Sequence, residues 1–219
     1  MSTHTKRVFV LIALAGSLGA QQSFFAKDAS GGEMYTTAAS LTGDLRMPKS
    51  GESGTISVRE LAQPLDGKGL KMILTAKDLL ARGETAKAMD ELRSAMHDPK
   101  AEPYALAILG GEHLKHGDVD AAIAELQGSV HLAPGISSTQ SNLAYALLIR
   151  GRSEEALIAA RKALQLDPGK SRTRFVLAQV LMEMGRWSEA EFHLEKAADE
   201  VSGARLLLAK YFSHAAPAH

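Results

Sequence analysis

The stretch LIRGRSEEALIAARKALQLDPGK, Leu148 to Lys170, decides how the chain is read. Gly151 separates two apolar runs, and Asp167-Pro168 closes the second. A glycine there can end the first helix in a left-handed conformation at low cost. Ala156, Ala160, Ala163 and Leu164 follow at steps of 4, 3 and 1, which puts them on one side of a second helix. Ser153 is placed to cap that helix. Glu154 and Glu155 in its first turn suit the positive end of the macrodipole, and Arg161 and Lys162 lie toward the negative end. Pro168 stops the helix, because proline lacks an amide donor and disfavours helix in the residue before it.

Outward from this stretch the punctuation recurs. Gly83, Gly117 and Gly185 stand at multiples of 34 residues from Gly151, and Ala88, Ala122 and Ala190 do the same from Ala156. Four residues after each alanine come Leu92, Leu126, Ala160 and Leu194, and three further on Ala95, Ser129, Ala163 and Ala197. Small residues precede each glycine at the same period: Ala76, Gly110, Ala144 and Ala178. Small side chains let two helices of a hairpin approach closely. Asp118 is placed to cap as Ser153 does, and Pro134 to terminate as Pro168 does. One such hairpin cannot bury its apolar face alone; stacked hairpins bury a continuous core.

A 34-residue repeat with this order of residues resembles the tetratricopeptide repeat family, whose pattern is W-x2-L-G-x2-Y, then A-x3-F, then P. In the frame starting at Ser137, Leu143 and Ala144 match the L-G pair, Leu147 the tyrosine, Ala156 the alanine, Ala160 the later aromatic and Pro168 the proline. Repeats follow at 69–102, 103–136, 137–170 and 171–204. The tryptophan position holds Met72, Leu106, Gln140 and Arg174; Thr75 replaces the leucine of the first repeat, and His113 the tyrosine of the second. The closing proline is displaced to Pro99 in the first repeat and replaced by Ser202 in the last. The resemblance implies an all-α, right-handed superhelical solenoid of about four helix-turn-helix repeats. A C-terminal helix, about Gly203 to Phe212 within the segment 205–219, would cap its end.

Composition agrees. Aromatic residues make up 5% and apolar residues 45% of the 219, which suits packed helices better than sheets. Net charge is zero, so nothing in the charge balance points to nucleic acid. The absence of cysteine excludes disulfides, thiol catalysis and cysteine-ligated metal. Residues 1–20 open with Lys6 and Arg7, continue with an apolar run from Val8 and end on small residues before Gln21, as a secretory signal peptide does. The run is shorter than the roughly 20 residues that span a bilayer. Cleavage is expected after Ala20, with Ala26 as the alternative, leaving an exported periplasmic or secreted chain with no stable membrane span. Residues 21–68 are rich in Gly, Ser and Thr and read as a flexible linker, with a weak capping-box spacing at Ser57 and Glu60.

The family resemblance places a concave groove on the first helix of each repeat. The residues it assigns there are Tyr104, Ile108, Asn142, Tyr145, Arg172, Phe175 and Gln179, flanked by Ile73, Lys77, Lys115, Ser141 and Ile149. Aromatic rings supply contact area, Asn142 and Gln179 can bond a peptide backbone, and Arg172 can pair a carboxylate. Tyr145 and Phe175 could equally pack between repeats. Ala107 and Gly111 stand where relatives that grip a C-terminal carboxylate carry lysine and asparagine, so that mode is not expected. The resulting expectation is a non-catalytic scaffold that binds a protein or peptide of unknown identity, with no cofactor or metal. Two alternatives remain. One is a metal site or enzyme built on His113 and His116 with Glu112; the other is self-association through the C-terminal helix.

Overall fold

The structure is a computed structural model that describes residues 23–27, 33–37, 65 and 67–212. The leader, the Ser57/Glu60 capping box and the last seven residues lie outside these. The chain divides into two compact units, Met1–Met47 and Pro48–His219. In the first, β1 (Ser23–Lys27) and β2 (Glu33–Thr37) pair antiparallel, with Phe25 opposite Tyr35. This pair falls within the stretch read as linker, where the sequence shows no sustained alternation.

The second unit is an all-α helical repeat solenoid. Its helices are α1 (Gly67–Ala81), α2 (Thr85–Ala95), α3 (Glu102–His116), α4 (Val119–Leu132), α5 (Ser137–Ile149), α6 (Ser153–Leu166), α7 (Ser171–Glu183), α8 (Trp187–Ala197) and α9 (Ser202–Tyr211). Each consecutive pair packs as a hairpin. In repeats two to four the first helices also meet one another, α3 against α5 and α5 against α7, whereas successive second helices do not pack to that extent. The stack therefore curves toward its first helices, which form an inner layer.

The repeat is visible in the backbone. Gly83, Gly117, Gly151 and Gly185 all take positive φ, between 70° and 87°. After each, the next amide reaches five residues back: Glu84 to Leu79 O, Asp118 to His113 O, Arg152 to Leu147 O and Arg186 to Leu181 O, at 2.8–2.9 Å. The glycine amide itself reaches three back, so four Schellman motifs recur at the sequence period. A side chain at these positions would be held in the left-handed region, which costs roughly 1–2 kcal/mol.

The lattice alanines lie just inside the following helices. Ala88, Ala122, Ala156 and Ala190 are 0% exposed, and their amides bond the carbonyls of Glu84, Asp118, Arg152 and Arg186. These four residues, not the serine, are the N-caps. The expectation of side-chain capping by Ser153 and Asp118 is corrected: neither makes a cap hydrogen bond. Ser153 is already helical, and the cap residue Arg152 instead pairs bidentately with Glu155 at 2.7 and 2.8 Å. Arg186 and Glu189 repeat this at 2.6 and 2.7 Å. The proline stops hold. α4 and α6 end at Leu132 and Leu166, and the residues before Pro134 and Pro168 are pushed to φ −140° and −138°.

Within each hairpin the small residues set the spacing. A Cβ on Gly110 would come 2.6 Å from Leu126 Cγ and 3.2 Å from the Ala122 carbonyl, so α3 and α4 are in direct contact there. The hairpins are also tied at their open ends. Ser129 Oγ donates to Pro103 O at 2.7 Å, and 34 residues on Ser137 Oγ donates to Ala163 O at 3.0 Å. The same two positions are bonded in both repeats, with the hydroxyl supplied by the opposite helix. α9 closes the stack: Trp187 lies 6.1 Å from Tyr211 and 6.2 Å from Phe212 between ring centroids.

Candidate functional site

The inner layer carries the candidate face. On α5, Ser138, Ser141, Asn142 and Tyr145 are spaced to share one side of the helix. The equivalent residues are Tyr104, Ala107, Ile108 and Gly111 on α3, and Arg172, Phe175, Val176 and Gln179 on α7. An open groove would expose them. Instead Tyr104, Ile108, Asn142 and Phe175 are 3–5% exposed and Gln179 is 0% exposed, while Tyr145 and Arg172 are half-buried. Eight consecutive residues of α5, Ser137 to Ala144, are buried, as are eight of α7, Phe175 to Met182. Eight residues are more than two helical turns, so no side of these stretches faces solvent.

The expected groove residues divide by what they touch. Tyr104 and Ile108 belong to an apolar cluster with Ile73, Leu92 and Leu109, against which Leu65 packs. Phe175 packs between elements: a Cβ on Gly203 of α9 would come 2.8 Å from its ring. Asn142, Tyr145, Arg172 and Gln179 are polar or amphipathic members of the face, and each is engaged in an interaction. Lys115 and Ile149 are exposed at the C-terminal ends of their helices. Ser138 is a further face residue. Only the repeat frame, which aligns it with Tyr104 and Arg172, could have signalled it. Thr139 Oγ1, Ser141 Oγ and Thr173 Oγ1 are buried hydroxyls without a hydrogen-bond partner, a costly arrangement concentrated on these inner helices.

The histidine cluster is dispersed. His113 Nδ1 lies 2.7 Å from Glu125 Oε2 on α4, and Glu112 pairs with Lys115. His116 is exposed near the helix end. Burial raises the Glu125 carboxyl above its ordinary value, partly offset by the bond and charge of His113. Among the described residues no group of three or more His, Cys, Asp or Glu side chains could hold a metal ion. Two other groups are perturbed. Burial pushes Glu183, the last residue of α7, upward. Burial pushes His193 downward, helped by Arg174 and Arg161 and opposed by Glu189. None of these assembles a nucleophile with a base.

The geometry defines a class, an α-helical repeat solenoid with a buried inner face. Residues 147–211 match the tetratricopeptide repeat family. The chain is a tetratricopeptide-repeat protein, and the family supports a protein-interaction module as its coarse role. Solved structures of MamA are similar in fold. A double mutant of MamA from strain RS-1 superposes with a TM-score of 0.56 at 17% identity, covering 69% of this chain and 89% of that one. MamA from residue 41 onward, from Desulfovibrio magneticus RS-1, gives 0.53 at 18%, covering 62% and 77%. A further MamA crystal structure gives 0.51 at 21%, covering 68% and 79%. At these identities the likeness is one of fold alone. No protein of curated function matches the sequence. Among the described residues no helix is long and apolar enough to cross a membrane.

Proposed function

We propose that this chain is an exported, non-catalytic scaffold of the cell envelope whose inner face holds a polypeptide segment. The observation that carries the reading is the burial of a polar face. Ser138, Ser141, Asn142 and Gln179 are 0–5% exposed on the inner helices, beside the rings of Tyr104 and Tyr145. Covered polar groups need hydrogen-bonding partners, and a polypeptide backbone supplies donors and acceptors at a regular spacing. Arg172 at the edge of the face suits a carboxylate. Affinity capture from the exporting cell tests this. Asn142→Ala and Arg172→Ala should each reduce the recovered partner about tenfold, the loss of one charge-assisted or buried hydrogen bond; equal recovery would remove the face from consideration.

Export rests on the basic start, short apolar run and small residues of positions 1–20. The exported protein should begin at Gln21, or at Lys27 if the alternative site is used; an intact Met1 would contradict cleavage. A second reading, self-association through the C-terminal helix, is favoured by Leu206, 65% exposed on α9, and Phe192, 52% exposed on α8. Leu206→Asp should lower the mass seen by light scattering if that contact forms, and an unchanged mass argues against it.

A further inference from the structure

The inner face is covered although the described helices leave that side open. α5 touches α3, α4, α6 and α7, its two flanks and its outer side. None of these reaches the side carrying Ser138, Asn142 and Tyr145, yet Ser138 and Asn142 are 3% and 5% exposed. By contrast α1 has buried residues only at Gly69, Ile73 and Ala76, a single stripe, and Leu74 on its inner side is 39% exposed. The cover thus extends over repeats two to four.

We infer that residues 48–64 of this same chain occupy the inner face, so that the groove is filled in cis. The inference rests on the proposed function of that face and names its first occupant. Three observations select this segment. The compact unit containing the solenoid begins at Pro48, whereas residues before it cluster separately. The chain enters the solenoid at Leu65, which packs against Gly69 and against the cluster containing the face residues Tyr104 and Ile108. The segment therefore starts at the mouth of the groove. It is also long enough: extended, it reaches roughly 55 Å, against about 20 Å between α3 and α7. The C-terminal tail after Phe212 is a poor rival. It reaches only about 24 Å, begins at the opposite end, and in SHAAPAH offers no apolar side chain larger than alanine or proline.

The chemistry fits. Ile56, Val58 and Leu61 give the segment apolar side chains for Ile108 and the rings of Tyr104 and Tyr145, and Glu52 and Glu60 offer carboxylates to Lys77 and Arg172. Its backbone can bond the hydroxyls and amides of the face. A partner would then compete with an intramolecular ligand at high effective concentration, which would lower its apparent affinity.

The chain has no cysteine, so a single thiol can report on the face. Ser138→Cys in the full chain should label slowly. Adding Ile56→Asp and Val58→Asp should accelerate labelling at least tenfold with helix content retained by circular dichroism. A synthetic peptide of residues 48–64, added to that triple variant, should restore protection. Unchanged slow labelling after the two aspartates would overturn the inference while leaving the face itself as a covered binding surface, as would a peptide that binds without slowing the thiol. Fast labelling of Ser138→Cys in the otherwise unaltered chain would remove both the inference and the reading it rests on. If the aspartates unfold the chain, peptide 48–64 with photoreactive groups at Ile56 and Val58, offered in excess to the unaltered protein, should cross-link to α5; cross-linking only elsewhere would overturn the inference.

Discussion

The inner and outer helices come from one repeat but are buried in different ways. Outer helices keep a stripe: α2 buries Ala88, Leu92 and Ala95, and α8 buries Ala190, Leu194 and Ala197, with exposed residues between. Inner helices α5 and α7 have no exposed side until their last turn. The outer stripe is ordinary amphipathic packing, satisfied within the hairpin. The inner burial includes serine, threonine, asparagine and glutamine, which hydrophobic packing alone does not explain. The outer layer thus holds the fold together, while the inner layer is also shaped for something laid on it.

The largest effects should come from the outer stripe. Leu126→Ala removes a 0%-exposed side chain packed on Gly110 and should cost about 2–5 kcal/mol in chemical unfolding. Gly110→Ala should cost about 1–3 kcal/mol, since the new methyl meets Leu126. Because the two sites touch, the double variant should lose less than the sum, and strict additivity would show that the close approach is not tight. Gly151→Ala, held at φ 70°, should cost about 1–2 kcal/mol and leave the inner face unchanged.

A smaller, pH-dependent effect should appear at the C-terminal end of α7. Burial raises the Glu183 carboxyl above its ordinary 4.5, so the folded chain holds that proton more tightly than the unfolded chain does. Stability from this group is present below pH 4.5 and is lost as pH rises through the folded value. Glu183→Gln should therefore stabilise the protein at neutral pH and match the parent in acid; a variant less stable at pH 7 would mean the carboxylate has a favourable partner. Least of all, Ile158→Ser, at a residue 71% exposed on α6, should change stability by no more than about 0.5 kcal/mol.

The outer layer is legible in the sequence because its code is positional. Gly151 and Ala156 recur every 34 residues, and the structure gives each copy the same left-handed turn and the same buried alanine. Helix ends before Pro134 and Pro168 follow from proline chemistry. The caps are harder to read: serine is a strong cap by propensity, yet the turn geometry fixed by the glycine places Arg152 at the cap, one residue earlier. The inner face is legible only in part. The repeat frame locates Asn142, Tyr145, Arg172 and Gln179, but a run such as SSTQSN carries no period that distinguishes a solvated helix from one covered on every side. Phe175 reads in sequence as a ligand contact, and only its approach to Gly203 shows the packing role.

The contrast between layers can be measured directly with two single-thiol forms of the full chain, Ser138→Cys on α5 and Ile158→Cys on α6. The α5 thiol should react with a maleimide at least a hundredfold more slowly than the α6 thiol under native conditions, and the two should react alike in denaturant. Equal native rates would contradict the claim that the inner face of this solenoid is a covered, polypeptide-holding surface.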